Sequence, residues 1–196
     1  MRLLLGDSLE LLPKLDACSV DAIITDPPQP VQDVEFSAPV LQQFMRITSG
    51  PIVWISGEAN RYPDVSHYLP APDAFLCWQP SRCWTYRGEP LSSARPLQAE
   101  FHPILIWQLN CTIPFPLRYD MDVEPGWWVN KYSKPVALIQ ELLYLLTEPY
   151  QTVLDPFMGR GACALACDLE DRNFYGIDID PEAIDITRRR LDEHDA

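Results

Sequence analysis

Thr152-Val153-Leu154-Asp155-Pro156-Phe157-Met158-Gly159-Arg160-Gly161 is the stretch whose reading decides the fold. Thr152 to Asp155 reads as a short buried strand that ends on a carboxylate. Gly159 and Gly161, one residue apart, permit a tight turn and a close approach of backbone to a ligand. A helix of small residues follows, Ala162 to Cys167, and its N-terminus points unbonded N–H groups into the same crevice. Asn173 to Asp180 reads as a further strand closing on acidic residues, with Asp178 placed 19 residues beyond Gly159. That interval is close to the one at which an acid meets a ribose hydroxyl in nucleotide-binding βαβ units. A helix from Pro181 to His194, with Asp180 as its N-cap, completes the unit. The same residues also fit a dinucleotide fingerprint, Gly159-x-Gly161-x-x-Ala164 with Asp178. Asp155, just before the glycines, is awkward beside a pyrophosphate but harmless or useful beside a cationic sulfonium.

Far upstream, Asp21-Ala22-Ile23-Ile24-Thr25-Asp26 is another apolar run ending in Asp, followed by Pro27-Pro28-Gln29-Pro30. Residues that precede a proline, here Asp26, Pro27 and Gln29, are pushed away from the helical region. The chain therefore leaves the strand Ala22 to Thr25 extended and stiff, and carbonyls near Asp26 are not consumed by helix formation. A carboxylate beside fixed carbonyl acceptors suits a planar amine gripped by its N–H groups. Alone, the tripeptide reads equally well as a turn. Paired with the second Asp-terminated strand, it argues against a nicotinamide enzyme.

The order of these motifs resembles that of the β-type DNA amino-methyltransferases, which methylate adenine N6 or cytosine N4. In that family a catalytic Asp-Pro-Pro-aromatic motif precedes the S-adenosylmethionine (SAM) motif. Leu3-Leu4-Leu5-Gly6-Asp7-Ser8 resembles the opening segment, Asp26-Pro27-Pro28 the catalytic loop and Ser133-Lys134-Pro135 the Lys-Pro helix start. Asp155 to Gly161 resembles the SAM loop and Gly176-Ile177-Asp178-Ile179-Asp180-Pro181 the acidic ribose strand. The resemblance implies a Rossmann-like α/β methyltransferase fold: a mostly parallel sheet with helices on both faces, a reversed final strand, and the catalytic motif before the SAM motif. It implies catalytic roles for Asp26, Pro27, Pro28 and Gln29. It implies cofactor contacts from Asp7, Lys134, Asp155, Pro156, Phe157, Gly159, Gly161 and Asp178, with Asp7 at the adenine end and Lys134 shaping the pocket. The partner implied is DNA, either a duplex with a flipped base or a single strand.

Three departures qualify this match. Gln29 stands where the family has an aromatic that stacks on the extruded base, and base–aromatic stacking is worth roughly 1–3 kcal/mol. Trp54, Trp78, Trp84 and Tyr86 are candidates to supply a ring from elsewhere. Asn130-Lys131-Tyr132-Ser133 replaces the family's His-Pro-Thr-Gln, and Arg160 replaces a small residue between the glycines. Two alternatives therefore stand beside the DNA enzyme: a non-catalytic SAM-fold module binding a partner or nucleic acid, and an amine methyltransferase acting on RNA or protein.

With 196 residues, 47% of them hydrophobic, the chain is expected to form a single globular domain spanning residues 1–196. No apolar stretch has the length of a membrane span, and Met1 to Asp7 does not read as a signal peptide, so a cytoplasmic location is expected. Six cysteines (18, 77, 83, 111, 163 and 167) include no CxxC pair, and reduced core thiols without a metal are expected. The net charge of −13 opposes a generally basic DNA-binding surface. Arg82, Arg87, Arg95, Arg118 and Lys131 offer a local basic face between the two motifs; a partner subunit is the alternative.

The remaining elements expected are a helix over 36–47, strands near 50–57, 74–78 and 103–109, and a helix over 136–148. In that helix Ile139, Leu142, Leu143 and Leu146 form one apolar face. Residues 79–99 read as a long loop, and a target-facing region is expected at about 79–132. Its final part, 110–132, is too short for an independent base-reading module, despite Phe115, Trp127 and Trp128. Either specificity is short and relaxed, or a homodimer or specificity partner reads the sequence.

Overall fold

Short apolar runs that alternate between two faces set the architecture. The computed structural model describes residues 1–28, 34–56, 70–78, 85–86, 89–90, 102–109, 111 and 134–194. Its strands in chain order are β1 (Arg2–Leu5), β2 (Ala22–Thr25), β3 (Ile52–Ile55), β4 (Ala74–Trp78), β5 (Thr85–Tyr86), β6 (Glu89–Pro90), β7 (His102–Trp107), β8 (Thr152–Asp155) and β9 (Asn173–Asp178). The helices are α1 (Ser8–Leu11), α2 (Val34–Ile47), α3 (Val136–Leu146), α4 (Ala162–Leu169) and α5 (Pro181–His194).

Seven strands form one sheet in the order β1-β9-β8-β2-β3-β7-β4, while β5 and β6 pair as a separate ribbon. The pairings from β1 through β3 are all parallel. Strand β7 runs antiparallel to both β3 and β4, so the reversed strand lies in mid-chain; the final strand, β9, where the reversal is expected, pairs parallel with β1 and β8. Two βαβ units, β2-α2-β3 and β8-α4-β9, run outward from the middle of the sheet in opposite directions.

Because side chains alternate across a strand, each strand feeds two cores. Ala22, Ile24, Val53, Ile55, Ile104, Ile106 and Val153 face α3, α4 and α5, meeting Leu142, Leu143, Ala164, Ala166 and Ile184. Ile23, Ile52, Trp54, Leu105, Trp107 and Leu154 face the other way, onto Leu41, Phe44 and Ile47 of α2. Burial on both faces explains why these strands read as continuous apolar runs. Ile139, Leu142, Leu143 and Leu146 are all buried, as the helical spacing predicts.

Several boundaries differ from the sequence reading. Helix α2 begins at Val34, two residues earlier, and α3 ends at Leu146, where Thr147 closes it. The acidic strand ends at Asp178 rather than Asp180, while Asp180 caps α5 as expected, accepting the Glu182 N–H at 2.9 Å. Within the 79–132 stretch, β7 is a buried strand of the main sheet and β5–β6 a small ribbon. Arg82, Arg87, Arg95, Arg118, Trp84, Phe115, Trp127, Trp128 and Lys131 lie outside the described residues. Cys163 and Cys167 are buried, but Cys18 and Cys111 are exposed rather than in the core. Trp54 is 0% exposed and tilted against Phe44 with ring centroids 6.0 Å apart, so it has no face to offer a ligand. Among the described residues, no His/Cys/Asp/Glu cluster could hold a metal and no helix is long and apolar enough to cross a membrane.

Candidate active site

Strands β2 and β8 are parallel neighbours, with Ala22 opposite Val153 and Ile23 opposite Leu154. From this pair the chain proceeds to β3 on one side and β9 on the other, so the strand order switches here. Open α/β sheets bind ligands at such a point, in the crevice beyond the carboxyl ends of the strands. Asp26 follows β2 and Asp155 ends β8, so the two Asp-terminated strands of the sequence deliver both carboxylates to this crevice.

The two acids are held differently. Asp155 is 5% exposed; its Oδ1 accepts from the Thr25 hydroxyl at 2.7 Å and from the Phe157 N–H at 3.1 Å. Burial pushes its carboxyl up to about 7; those two hydrogen bonds oppose the rise, and the charges of Asp26 and Asp178 add to it. Asp26 is half-buried, and the Lys134 ammonium donates to its Oδ2 across a sequence separation of 108. Burial also raises the Asp26 carboxyl, with Lys134 pulling in the opposite direction. Pro27 is buried and Pro28 exposed, while Gln29 lies outside the described residues.

The turn after β8 is braced from behind. The Gly159 N–H donates to Asp178 Oδ2 at 2.8 Å and the Met158 N–H to the Ile177 carbonyl at 3.1 Å, tying the loop to β9. Gly161 caps α4 with φ +78, and a Cβ there would lie 2.5 Å from the buried Thr187 hydroxyl of α5. Gly159 has φ +51, and a Cβ there would meet nothing within 4 Å. The tight packing lies behind Gly161 and the open space in front of Gly159, the arrangement a backbone cradle requires. Arg190 of α5 donates to the Arg160 carbonyl at 2.8 Å.

On the β1 side, Asp7 caps α1 by accepting the Leu9 N–H at 2.8 Å, and the Gly6 N–H donates to the Asp178 carbonyl at 2.9 Å. The buried Ser8 hydroxyl donates to the Pro156 carbonyl. Asp7, Pro156 and Asp178 are therefore gathered at one end of the crevice, and Asp26 with Lys134 at the other. Asp178 also accepts the Asp180 N–H through Oδ1 at 2.9 Å. Carboxylate oxygens each accept more than one bond, so capacity for a diol remains.

Lys134, expected at the cofactor pocket, makes an ion pair with Asp26 at the end of β2. Sequence reading missed Ser8, Thr25, Thr187 and Arg190, which fasten the loops. Thr25 alone left a signal, a polar residue closing an otherwise apolar buried strand. The residues present fit SAM on two grounds: the open approach at Gly159, and a buried acid flanked by two others, a setting that favours a cationic ligand.

Residues 80–189 match a protein-family model described as DNA methylase. The type II methyltransferase M.Cfr9I of Citrobacter freundii is 41% identical over 77 residues, covering 39% of this chain and 26% of that enzyme. M.BglI of Bacillus subtilis is 43% identical over 58 residues, 30% of this chain and 17% of that enzyme. The matched stretches thus span about a quarter or less of those relatives. Among solved structures, the M1.HpyAVI–SAM complex superposes with a TM-score of 0.73 at 24% identity, covering 97% of this chain and 98% of that one. The cytosine-N4-specific PvuII DNA methyltransferase gives 0.58 at 18% identity, covering 97% and 92%.

Proposed function

The chain belongs to the DNA methylase family of N6/N4 amino-methyltransferases, and on that premise we propose that it methylates the exocyclic amine of a DNA base, adenine N6 or cytosine N4, with SAM as donor. The observation that carries the reading is the meeting of Asp26 and the Asp155–Gly161 loop at the switch point of the sheet.

SAM supplies an electrophilic methyl group on a positively charged sulfur. The protein's own residues do the rest. Asp26 accepts one N–H of the target amine, and the Pro27 carbonyl, with two lone pairs, accepts the other. Both bonds turn the nitrogen lone pair out of conjugation with the ring and toward the methyl carbon. As the carbon–nitrogen bond forms, the methyl–sulfur bond would break and the sulfur would keep its electron pair as a neutral thioether; the nitrogen gives up one proton, for which Asp26, held above its ordinary range, is a fitted acceptor. Gly159 and Gly161 would admit the cofactor to the backbone, Asp178 would accept from its ribose hydroxyls, and Asp7 would lie toward its adenine end. Asp155, ionised, complements the positive sulfur. No covalent base adduct is required. Cys163 is buried and donates to the Ile24 carbonyl at 3.8 Å; the neighbouring Cys167 and burial hold its thiol well above the ordinary range, which disfavours the nucleophilic thiolate.

The target base must be flipped from a duplex or presented in a single strand. Sequence reading falls to the region at about 79–132 of a single domain, or to a homodimer or separate partner. Incubation with methyl-labelled SAM and unmethylated DNA, both duplex and single-stranded, followed by nucleoside analysis, tests the proposal. N6-methyladenine or N4-methylcytosine supports it and names the base. No labelled nucleoside from either DNA refutes catalysis by the isolated chain.

A further inference from the structure

Lys134 sits where its helix does not call for a cation. It precedes Pro135, the N-cap of α3, at the end where the helix dipole is positive and a like charge is disfavoured. Its side chain is 10% exposed, and an ammonium so far removed from water needs a counter-charge. That counter-charge is Asp26 at the end of β2. Among the described residues, Asp155 of β8 also acts between these strand ends and repels Asp26, with Asp178 of β9 behind it. Thr25, the neighbouring donor, gives its hydroxyl to Asp155. Among the described residues, Lys134 is thus the cation that stabilises the Asp26 carboxylate.

The state of that carboxylate matters to the chemistry. An ionised carboxylate only accepts hydrogen bonds, whereas a protonated one places a donor where the amine's N–H must point. We infer that Lys134 is a positioning residue for the amine-binding carboxylate: its ammonium engages Oδ2, holds Asp26 ionised, and leaves Oδ1 to accept from the target amine. The inference rests on the methyltransferase reading above, and it moves Lys134 from the cofactor side of the crevice to the amine side. The ion pair also joins the catalytic loop to α3, which packs on α4 behind the SAM loop, so acceptor and donor loops share one brace.

The test separates this role from a cofactor contact and from general structure. The Asp26 side-chain carboxyl is titrated by 13C NMR in the ligand-free protein, assigned with Asp26→Asn, for the wild type, Lys134→Met and Lys134→Arg. SAM affinity is measured calorimetrically at pH 8, and single-turnover methylation is followed against pH. Lys134→Met is expected to raise the Asp26 midpoint by about 1 pH unit or more, the size of a lost adjacent opposite charge. Lys134→Arg should keep the midpoint near the wild-type value, and SAM affinity should change less than about threefold in both. The acid limb of methylation should move with the midpoint, activity returning at high pH. An unmoved midpoint in Lys134→Met overturns the inference. So does a loss of SAM affinity of about tenfold or more with the acid limb in place, which would return Lys134 to the cofactor. Should Lys134→Met not fold, Lys134→Gln gives the same comparison. A wild type that methylates nothing overturns the activity reading alone, because the NMR midpoints decide the pairing without turnover.

Discussion

Replacing Asp155 by Asn removes a charge from a side chain that is 5% exposed while leaving an oxygen for the Thr25 hydroxyl and the Phe157 N–H. Burial raises this carboxyl from 3.8 to about 7 in the fold, so between those values the folded protein holds a proton that the unfolded chain has released. Stability from this site is therefore full at acid pH and is lost as pH rises through 7, opposite in sign to a salt-bridged carboxylate. At about 1.4 kcal/mol per pH unit, the whole shift is worth on the order of 4 kcal/mol, and the part between pH 5 and pH 7 about 3 kcal/mol. Asn cannot ionise, so the variant lacks this loss. Its buried amide N–H groups bring their own cost of about 1–3 kcal/mol, but equally at every pH. The quantity to compare is thus the stability difference between variant and wild type, measured by urea unfolding of the ligand-free proteins at pH 5, 6, 7 and 8. The variant should gain on the wild type by about 3 kcal/mol from pH 5 to pH 8. That equals about 6–12 °C in Tm for a chain of this size. A difference constant with pH would refute the claim that Asp155 carries a destabilising buried charge.

Other outcomes follow from the same geometry. SAM affinity of the wild type, by calorimetry, should rise with pH up to about 7 as Asp155 ionises against the cationic ligand, and the Asp155→Asn protein should bind more weakly with a flatter profile. Gly161→Ala, which drives a Cβ to 2.5 Å from Thr187, should lose about 1–3 kcal/mol of stability in urea unfolding, part of it restored by Thr187→Ala. Gly159→Ala should cost the fold less, since its Cβ meets nothing, yet should lower SAM affinity by filling the open approach. Asp26→Ala should abolish methylation while leaving SAM affinity within about threefold; joint loss of both would place Asp26 in the cofactor site. Gln29→Tyr should raise kcat/KM on DNA by about tenfold or more if the missing stacking face limits base capture.

Much of the molecule was legible from local pattern. Uninterrupted apolar runs such as Ala22-Ile23-Ile24 and Ile52-Val53-Trp54-Ile55 read as strands buried on both faces, and the i, i+3, i+4, i+7 spacing from Ile139 to Leu146 reads as one buried face of a helix. Asp-terminated strands, the glycines at 159 and 161 and Asp178 are short-range signals, because a turn's geometry is written in its own few residues. Those fixed the α/β class, the motif order and the candidate residues. What no local pattern carries is which strand lies beside which. Only the tertiary structure set β2 against β8, so that Thr25 reaches Asp155, and only it brought Lys134 across 108 residues of chain to Asp26. It also buried Trp54 and left Cys18 and Cys111 on the surface. The reason is physical: pairing of distant charges and the burial that raises Asp155 depend on what packs around each group, and that environment exists only once the sheet has assembled.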